Sequence, residues 1–311
     1  MKFSSFFKIV RYKNLILLAF MLFVLRYGFL DLQNIPLALS HFNYVLLILS
    51  VVLIAAAGYV INDIFDQDTD AINKPEKVIV GQCISETKAY NLYAILNVSG
   101  VFIGFYLSNI IQKPSFAAIF IATAATLYVY ATGLKQTVLI GNILVAFLTS
   151  FTIVLVGIFD LYPLLTAGNQ AILAVYFKLL LDYTIFAFAI NLIRELIKDM
   201  QDMNGDDMVG MRTFPIVVGI KTTKIIVISL SLLSTLGILY YCYSNYFLNT
   251  LYFATAYVVL FVLSPLILFT INIYKSTVAT DFGRLSQLLK AIMFFGILSA
   301  FFVTLNILHN A

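Results

Sequence analysis

The sequence predicts an all-α polytopic membrane protein, with about nine transmembrane helices around a central cavity. Three observations predict it. Of the 311 residues, 62% are hydrophobic and 11% are charged, with a mean hydropathy of +0.98; soluble domains average roughly 45–50% and 25%. So few charges cannot cover the surface of a soluble globule, which excludes soluble, disordered and fibrous classes. The apolar residues form continuous runs of bilayer-spanning length, without the alternation of a membrane barrel. Finally, Lys and Arg are distributed unevenly among the loops. The net charge is only +4 and the basic residues are scattered along the chain, which excludes a nucleic-acid partner.

Nine spans follow in order, near 14–30, 43–61, 89–108, 115–133, 138–158, 172–193, 223–243, 250–274 and 289–308. The first is preceded by Lys2, Lys8, Arg11 and Lys13, as in a signal peptide. Arg26, Asp31 and Pro36 interrupt the approach to the small-residue site Ala38-Leu39-Ser40, so a retained span is expected. Residues 1–311 read as one membrane-embedded domain with two polar loops, about 62–88 and 194–222. The fifth to eighth spans echo the first four, and the ninth reads as an appendage. With the N-terminus in the cytoplasm, all Lys and Arg except Arg26, Lys113 and Lys178 fall on the cytoplasmic side. The cell (inner) membrane is then expected, with the C-terminus outside. Cys83 and Cys242 lie on opposite faces and cannot pair.

The acids follow a different rule. Most of the 15 sit on the two polar loops, and the positive-inside pattern does not require them there. Asn62, Asp66 and Asp70 are spaced i, i+4, i+8, with Asp63 close by. Asp199, Asp202 and Asp206 are spaced i, i+3, i+7. Each set is one helical face continuing out of a span. Carboxylates at this spacing repel one another and destabilise a helix. A bound divalent cation offsets that repulsion, and all-oxygen ligands suit Mg²⁺, which takes one or two carboxylates plus substrate phosphates.

A solvated acidic loop would leave unexplained why the other loops and spans carry so few acids. An EF-hand is excluded, because Ala71 stands where its Gly is needed and Lys77 where its Glu is needed. Basic residues are interleaved with the acids: Lys74, Lys77, Lys198 and Arg212, with Arg11 and Lys135 at the same face. Cations beside such a cluster suit a diphosphate. Lys88, Lys224, Lys275 and Lys290 read as topology anchors.

These residues resemble the UbiA family of intramembrane prenyltransferases. The family's N-D-x-x-D-x-x-x-D motif is matched by Asn62, Asp63, Asp66 and Asp70, and its D-x-x-x-D by Asp202 and Asp206. Ala71-Ile72-Asn73-Lys74-Pro75 is similar to I-N-[RK]-P, and Arg11-Tyr12-Lys13-Asn14 to the opening R-x-x-N without its usual proline. The resemblance implies transfer of a prenyl group from an allylic diphosphate. Mg²⁺ would be held by Asn62, Asp66, Asp70, Asp199, Asp202 and Asp206, with Asp66, Asp70, Asp202 and Asp206 catalytic. The substrate head would be bound by Arg11, Asn14, Lys74, Lys77, Lys135, Arg194, Lys198 and Arg212. Tyr59, Tyr128 and Tyr130 are candidates to stabilise an allylic cation.

Two acceptors stay open. The context of the second box together with I-N-K-P looks most like the branch that transfers geranylgeranyl to geranylgeranylglyceryl phosphate, making an ether lipid. I-N-K-P also occurs in the branch that prenylates homogentisate, so an aromatic acid in quinone synthesis is the alternative. A phosphate-bearing acceptor needs an extra basic pocket, which Arg194, Lys135 or Arg11 could supply. His41 and His309, the two histidines, lie far from the boxes. A cation transporter is the reading from another class, resting on Asp182 within the sixth span. Partners are the prenyl diphosphate, the acceptor and membrane lipid; no obligate protein partner is inferred.

Overall fold

The computed structural model describes residues 3–73, 75 and 78–310, nearly all of them helical. Among them, nine helices are long and apolar enough to cross a membrane. The helices are α1 (Phe3–Ile9), α2 (Tyr12–Gln33), α3 (His41–Phe65), α4 (Gln67–Asn73), α5 (Glu86–Ile110) and α6 (Pro114–Thr132). They continue with α7 (Ile140–Leu164), α8 (Gln170–Met208), α9 (Phe214–Val218), α10 (Ile220–Phe247), α11 (Tyr252–Lys275) and α12 (Ala279–Asn310). All nine expected spans are present. The protein is an all-α integral membrane protein.

Two helices overrun their expected bounds. α8 has 39 residues, or about 58 Å of helix against a hydrocarbon core of roughly 30 Å. Its excess carries the second acid box beyond the apolar layer in unbroken helix. α12 has 32 residues and likewise starts well before its apolar part. The first box differs from expectation. α3 stops at Asp66 (φ −96°, ψ 6°) and α4 restarts at Gln67. The Asp66 amide still donates to the Asn62 carbonyl at 2.9 Å, and the Asp70 amide to that of Asp66 at 2.8 Å. The break therefore bends the stripe of acids without rotating it off its face.

Small residues set the closest helix approaches, as membrane packing requires. Gly100 and Gly104 on α5 face α3 and α6. Ser50 Oγ donates to the Gly100 carbonyl at 2.7 Å. A Cβ at Gly104 would lie 2.3 Å from Phe120 Cγ. α12 is not an appendage: it packs along α8, α11 and the π-helical end of α2, and so closes the ring.

The end of the bundle away from the acid boxes is held by an ion pair. α2 and α7 each end in a π-helical stretch, Val24–Leu30 and Gly157–Leu161. Such wide turns re-aim side chains inside a helix. Here they turn Arg26 and Asp160 to face each other, with side-chain exposures of 3% and 0%. Arg26 Nη2 also donates to the Leu39 carbonyl at 2.8 Å and lies over the Tyr44 ring. Asp160 Oδ1 accepts from the Leu39 amide at 3.1 Å, and Tyr44 Oη donates to the Leu22 carbonyl at 2.6 Å. One ion pair thus ties α2, the α2–α3 connection, α3 and α7.

Removing one partner leaves an uncompensated buried charge, which destabilises a protein by about 3–5 kcal/mol. Asp160→Leu and Arg26→Leu should each lower the unfolding midpoint in detergent strongly. The double variant should recover much of the loss, as followed by tryptophan-independent thermal scanning of far-ultraviolet dichroism.

Candidate active site

A cavity of about 890 Å³ runs into the bundle from the face that carries the acid boxes. Its lining comes from α1, α2, α3, α4, α6, α7, α8, α10, α11 and α12. At the mouth it is lined by Asn62, Asp63, Asp66, Asp70, Asp199, Asp202 and Asp206. Farther in, the lining is apolar: Leu18, Ile54, Phe120, Leu127, Phe186 and Ile190 among others. At its far end are Asp182, Tyr183, Tyr241 and Tyr246, with Tyr183 Oη and Ser299 Oγ 2.8 Å apart. Asp182 and Asp199 are separated by about 25 Å of α8 at the helical rise per residue.

The first box is built by the bend at Asp66. Asp66 is 4% exposed and accepts from Asn62 Nδ2 within its own stripe, and from Lys135 Nζ across the cavity. Lys135 reaches it from the short turn between α6 and α7. Asp63 points to the other side, where Arg11 Nη2 donates to it at 2.8 Å. Arg11 joins α1 to α2 in the left-handed conformation, φ 50°, a region that non-glycine residues occupy only when held there. That turn lays the guanidinium over Tyr59, 5.0 Å from the ring centroid. Desolvation works against the Arg11 charge, but Asp63, with smaller contributions from Tyr59 and Asp66, outweighs it and raises its pKa.

The second box lies on α8. Asp199 accepts from Asn142 Nδ2 at 2.8 Å, and Asp206 is 5% exposed. One turn deeper, Glu195 accepts from Arg194 at 2.9 Å and from Lys198 at 2.7 Å. The two boxes are clipped together by Asn73, at the end of α4. Its Nδ2 donates to the Asp202 carbonyl at 2.8 Å, and its Oδ1 accepts from the Gly205 amide at 2.9 Å. Gly205 has no room for a side chain: a Cβ there would lie 2.5 Å from the Asn73 carboxamide.

Most of the expected site residues converge on this cavity: Arg11, Asn14, Tyr59, Asn62, Asp66, Asp70, Tyr130, Lys135, Arg194, Lys198, Asp199, Asp202 and Asp206. Two do not. Tyr128 is 44% exposed on the outer side of α6 and packs on Tyr93. It sits two residues from Tyr130, and positions two apart on a helix point to different sides. Arg212 is exposed, because α8 ends at Met208 and Gly210, at φ 75°, turns the chain away. Lys74 and Lys77 lie outside the described residues. Sequence reasoning missed the clip residue Asn73, the carboxylate partner Asn142, and Lys290. The latter lines the cavity and donates to Asn14 Oδ1 at 3.0 Å. Lys224, by contrast, donates to the Tyr274 and Ser276 carbonyls at the end of α11.

The donor set fits Mg²⁺ in kind: carboxylate and carboxamide oxygens from two sides of one opening, with no nitrogen or sulfur ligand. Among the described residues, no three His, Cys, Asp or Glu side chains close on a single point. An ion there would need further oxygens from a bound ligand, which is how Mg²⁺ is held at phosphate sites.

Such a cavity in a helical membrane bundle suits a molecule with a charged head and a long apolar tail. The chain belongs to the UbiA prenyltransferase family, whose model matches residues 14–294. It is 34% identical over 225 residues to the digeranylgeranylglyceryl phosphate synthase of Methanobrevibacter smithii, covering 72% of this chain and 76% of that one. It is 36% identical over 182 residues to the enzyme of that name from Korarchaeum cryptofilum, covering 58% of each. A solved structure described as digeranylgeranylglyceryl phosphate synthase aligns with TM-score 0.61 at 22% identity, covering 97% and 98% of the two chains. A UbiA homologue from Archaeoglobus fulgidus bound to GPP and Mg²⁺ aligns with TM-score 0.59 at 17% identity, over 94% of this chain and 99% of that one. Family membership makes this chain a prenyltransferase and leaves no support for the transporter reading.

The Asn73 clip carries a prediction of its own. Gly205→Ala should displace Asn73 and let the boxes drift apart, lowering turnover about 10²-fold, as misplacement of about 1 Å does. The unfolding midpoint should stay near wild type. Prenyl transfer and thermal unfolding of the same preparation check both parts.

Proposed function

We propose that the chain transfers geranylgeranyl from its diphosphate to the free hydroxyl of geranylgeranylglyceryl phosphate, an ether-forming step in lipid synthesis. One observation carries the reading: two stripes of carboxylates on separate helices, joined by Asn73, face each other across the mouth of an apolar cavity. The names of the relatives support the acceptor, and the solved homologue with GPP and Mg²⁺ supports the donor and the metal.

In this reading Asn62, Asp66 and Asp70 on one side, and Asp199, Asp202 and Asp206 on the other, hold the metal. Mg²⁺ bound there would supply Lewis acidity toward the departing oxygens and offset their charge. Lys135, which pairs with Asp66, and Arg11, which pairs with Asp63, are within reach to turn to the diphosphate. The allylic C–O bond breaks with its electron pair leaving on the diphosphate. The acceptor hydroxyl oxygen then bonds to the allylic carbon and its proton is released at the carboxylate-lined mouth. The Tyr59 and Tyr130 faces line the same region and can stabilise the cation between these events. The apolar wall below the boxes excludes water, which would otherwise quench the cation to an alcohol. The whole chain acts as one membrane unit. Its active site faces the cytoplasm of the cell membrane, with the N-terminus inside and the C-terminus outside, as the distribution of Lys and Arg supports.

The test uses the purified protein in detergent or liposomes with radiolabelled geranylgeranyl diphosphate and Mg²⁺, offering geranylgeranylglyceryl phosphate and aromatic acids in parallel. Ether product with the glycerol phosphate is the expected result. Asp66→Asn and Asp202→Asn should each lower turnover about a thousandfold, the effect of removing several kcal/mol of charge stabilisation. EDTA should abolish turnover and excess Mg²⁺ restore it. Product only with an aromatic acid would overturn the acceptor and keep the transferase.

A further inference from the structure

A second charged group lines the cavity beside the acid boxes, and the metal-binding role leaves it unexplained. Arg194 and Lys198 share one carboxylate, Glu195, whose side chain is 6% exposed. Lys290 on α12 lines the same cavity as Arg194 and Lys198, and its hydrogen bond is to the neutral carboxamide of Asn14. Arg11 is already matched by Asp63. Asp199, next to Lys198 on α8, is held by Asn142 across the cavity. Arg194, Lys198 and Lys290 thus bring three cationic heads to one stretch of the cavity wall, where the neighbouring acids are Glu195 and Asp199. Arg194 Nε is in addition buried with no hydrogen-bond partner. Ionisable groups in a membrane helix that face a cavity mark a ligand path. A buried guanidinium donor without a partner is unfavourable until a ligand supplies an acceptor.

We propose that Arg194, Lys198 and Lys290 form a subsite for the phosphate monoester of the acceptor lipid, separate from the boxes that hold the diphosphate. This rests on the transferase reading above and names the feature that selects the acceptor. A phosphate monoester carries about −1.5 to −2 at neutral pH and three strong acceptor oxygens, one for each of the three cationic heads. An aromatic carboxylate brings only two acceptor oxygens. The planar Arg194 fork suits phosphate oxygens, and the two Lys add point charges. The placement also separates the two anionic heads. The diphosphate meets carboxylates that need a metal between, and the monoester meets cations that do not.

The experiment measures Michaelis constants for both substrates with wild type, Lys290→Gln and Lys290→Arg. Lys290→Gln should raise KM for geranylgeranylglyceryl phosphate about tenfold, the effect of one charge-assisted hydrogen bond, and leave that for geranylgeranyl diphosphate nearly unchanged. Lys290→Arg should restore most of the acceptor affinity. A rise confined to the diphosphate, an equal rise for both, or no rise overturns the subsite. Should Lys290→Gln show no turnover, Mg²⁺-dependent binding of geranylgeranyl diphosphate to the variant decides: retained binding supports the subsite and lost binding overturns it. Failure of the wild type with the glycerol phosphate, with success on an aromatic acid, would instead sink the ether-lipid reading itself.

Discussion

Negative charge gathered at one edge of an apolar bundle is the constraint from which the other features of the site follow. Carboxylates in such a place repel one another, and those screened from water lose hydration as well. The structure answers by giving the acids specific partners from different helices. Arg11 takes Asp63, Lys135 takes Asp66, and Asn142 takes Asp199. Each partner sits on a separate element, so the acids act as the point at which α2, α3, α7 and α8 are brought into register. The unusual local features serve this end. α8 extends far enough to carry its box out of the apolar layer, α3 bends at Asp66, and Arg11 adopts a left-handed turn that aims its guanidinium.

The far end of the bundle has the same problem and a different solution. Arg26 and Asp160 satisfy each other and the backbone around Leu39, with almost no exposure. The pair lies outside the cavity that the acid boxes line. At the mouth the partners are looser: Lys135, Lys198 and Arg11 keep side-chain exposures of 24%, 32% and 35%. The closed pair clamps helices, whereas the open pairs stay accessible from the mouth, which suits the exchange of partners that the proposed function calls for. The two ends of one bundle thus divide rigidity from reactivity.

Much of this was legible in the sequence, and the reasons are physical. A membrane span must be long, continuous and apolar, so all nine can be counted directly. The acid stripes are legible because helical spacing alone puts Asn62, Asp66 and Asp70, or Asp199, Asp202 and Asp206, on one face. What escaped depends on tertiary placement. Arg212 follows its box closely in sequence, yet Gly210 turns it away. Tyr128 and Tyr130 look equivalent near the end of one span, yet a helix can present only one of them to the cavity. Lys290 resembles any interfacial lysine until α12 is seen closing the ring against α2 and α8. Asn73 lay within a recognisable stretch, but its bridge to Gly205 joins residues more than a hundred positions apart.

The division between acids and cations also bears on why the chemistry belongs inside a membrane. Both proposed substrates carry an anionic head and an apolar tail, so hydrophobicity alone cannot assign them to different places. Charge can. A head that requires a metal is directed to the carboxylates, and one that requires only cations is directed to the side formed by α8 and α12. The apolar lining, from Ile54 and Phe120 to Phe186 and Ile190, then needs only to hold hydrocarbon and exclude water. In a water-filled cleft the discrimination would weaken, because screening and high dielectric shrink every one of these pair energies. The low-dielectric bundle is therefore part of the proposed selectivity: it strengthens each pairing between a charged head and the side chains that receive it.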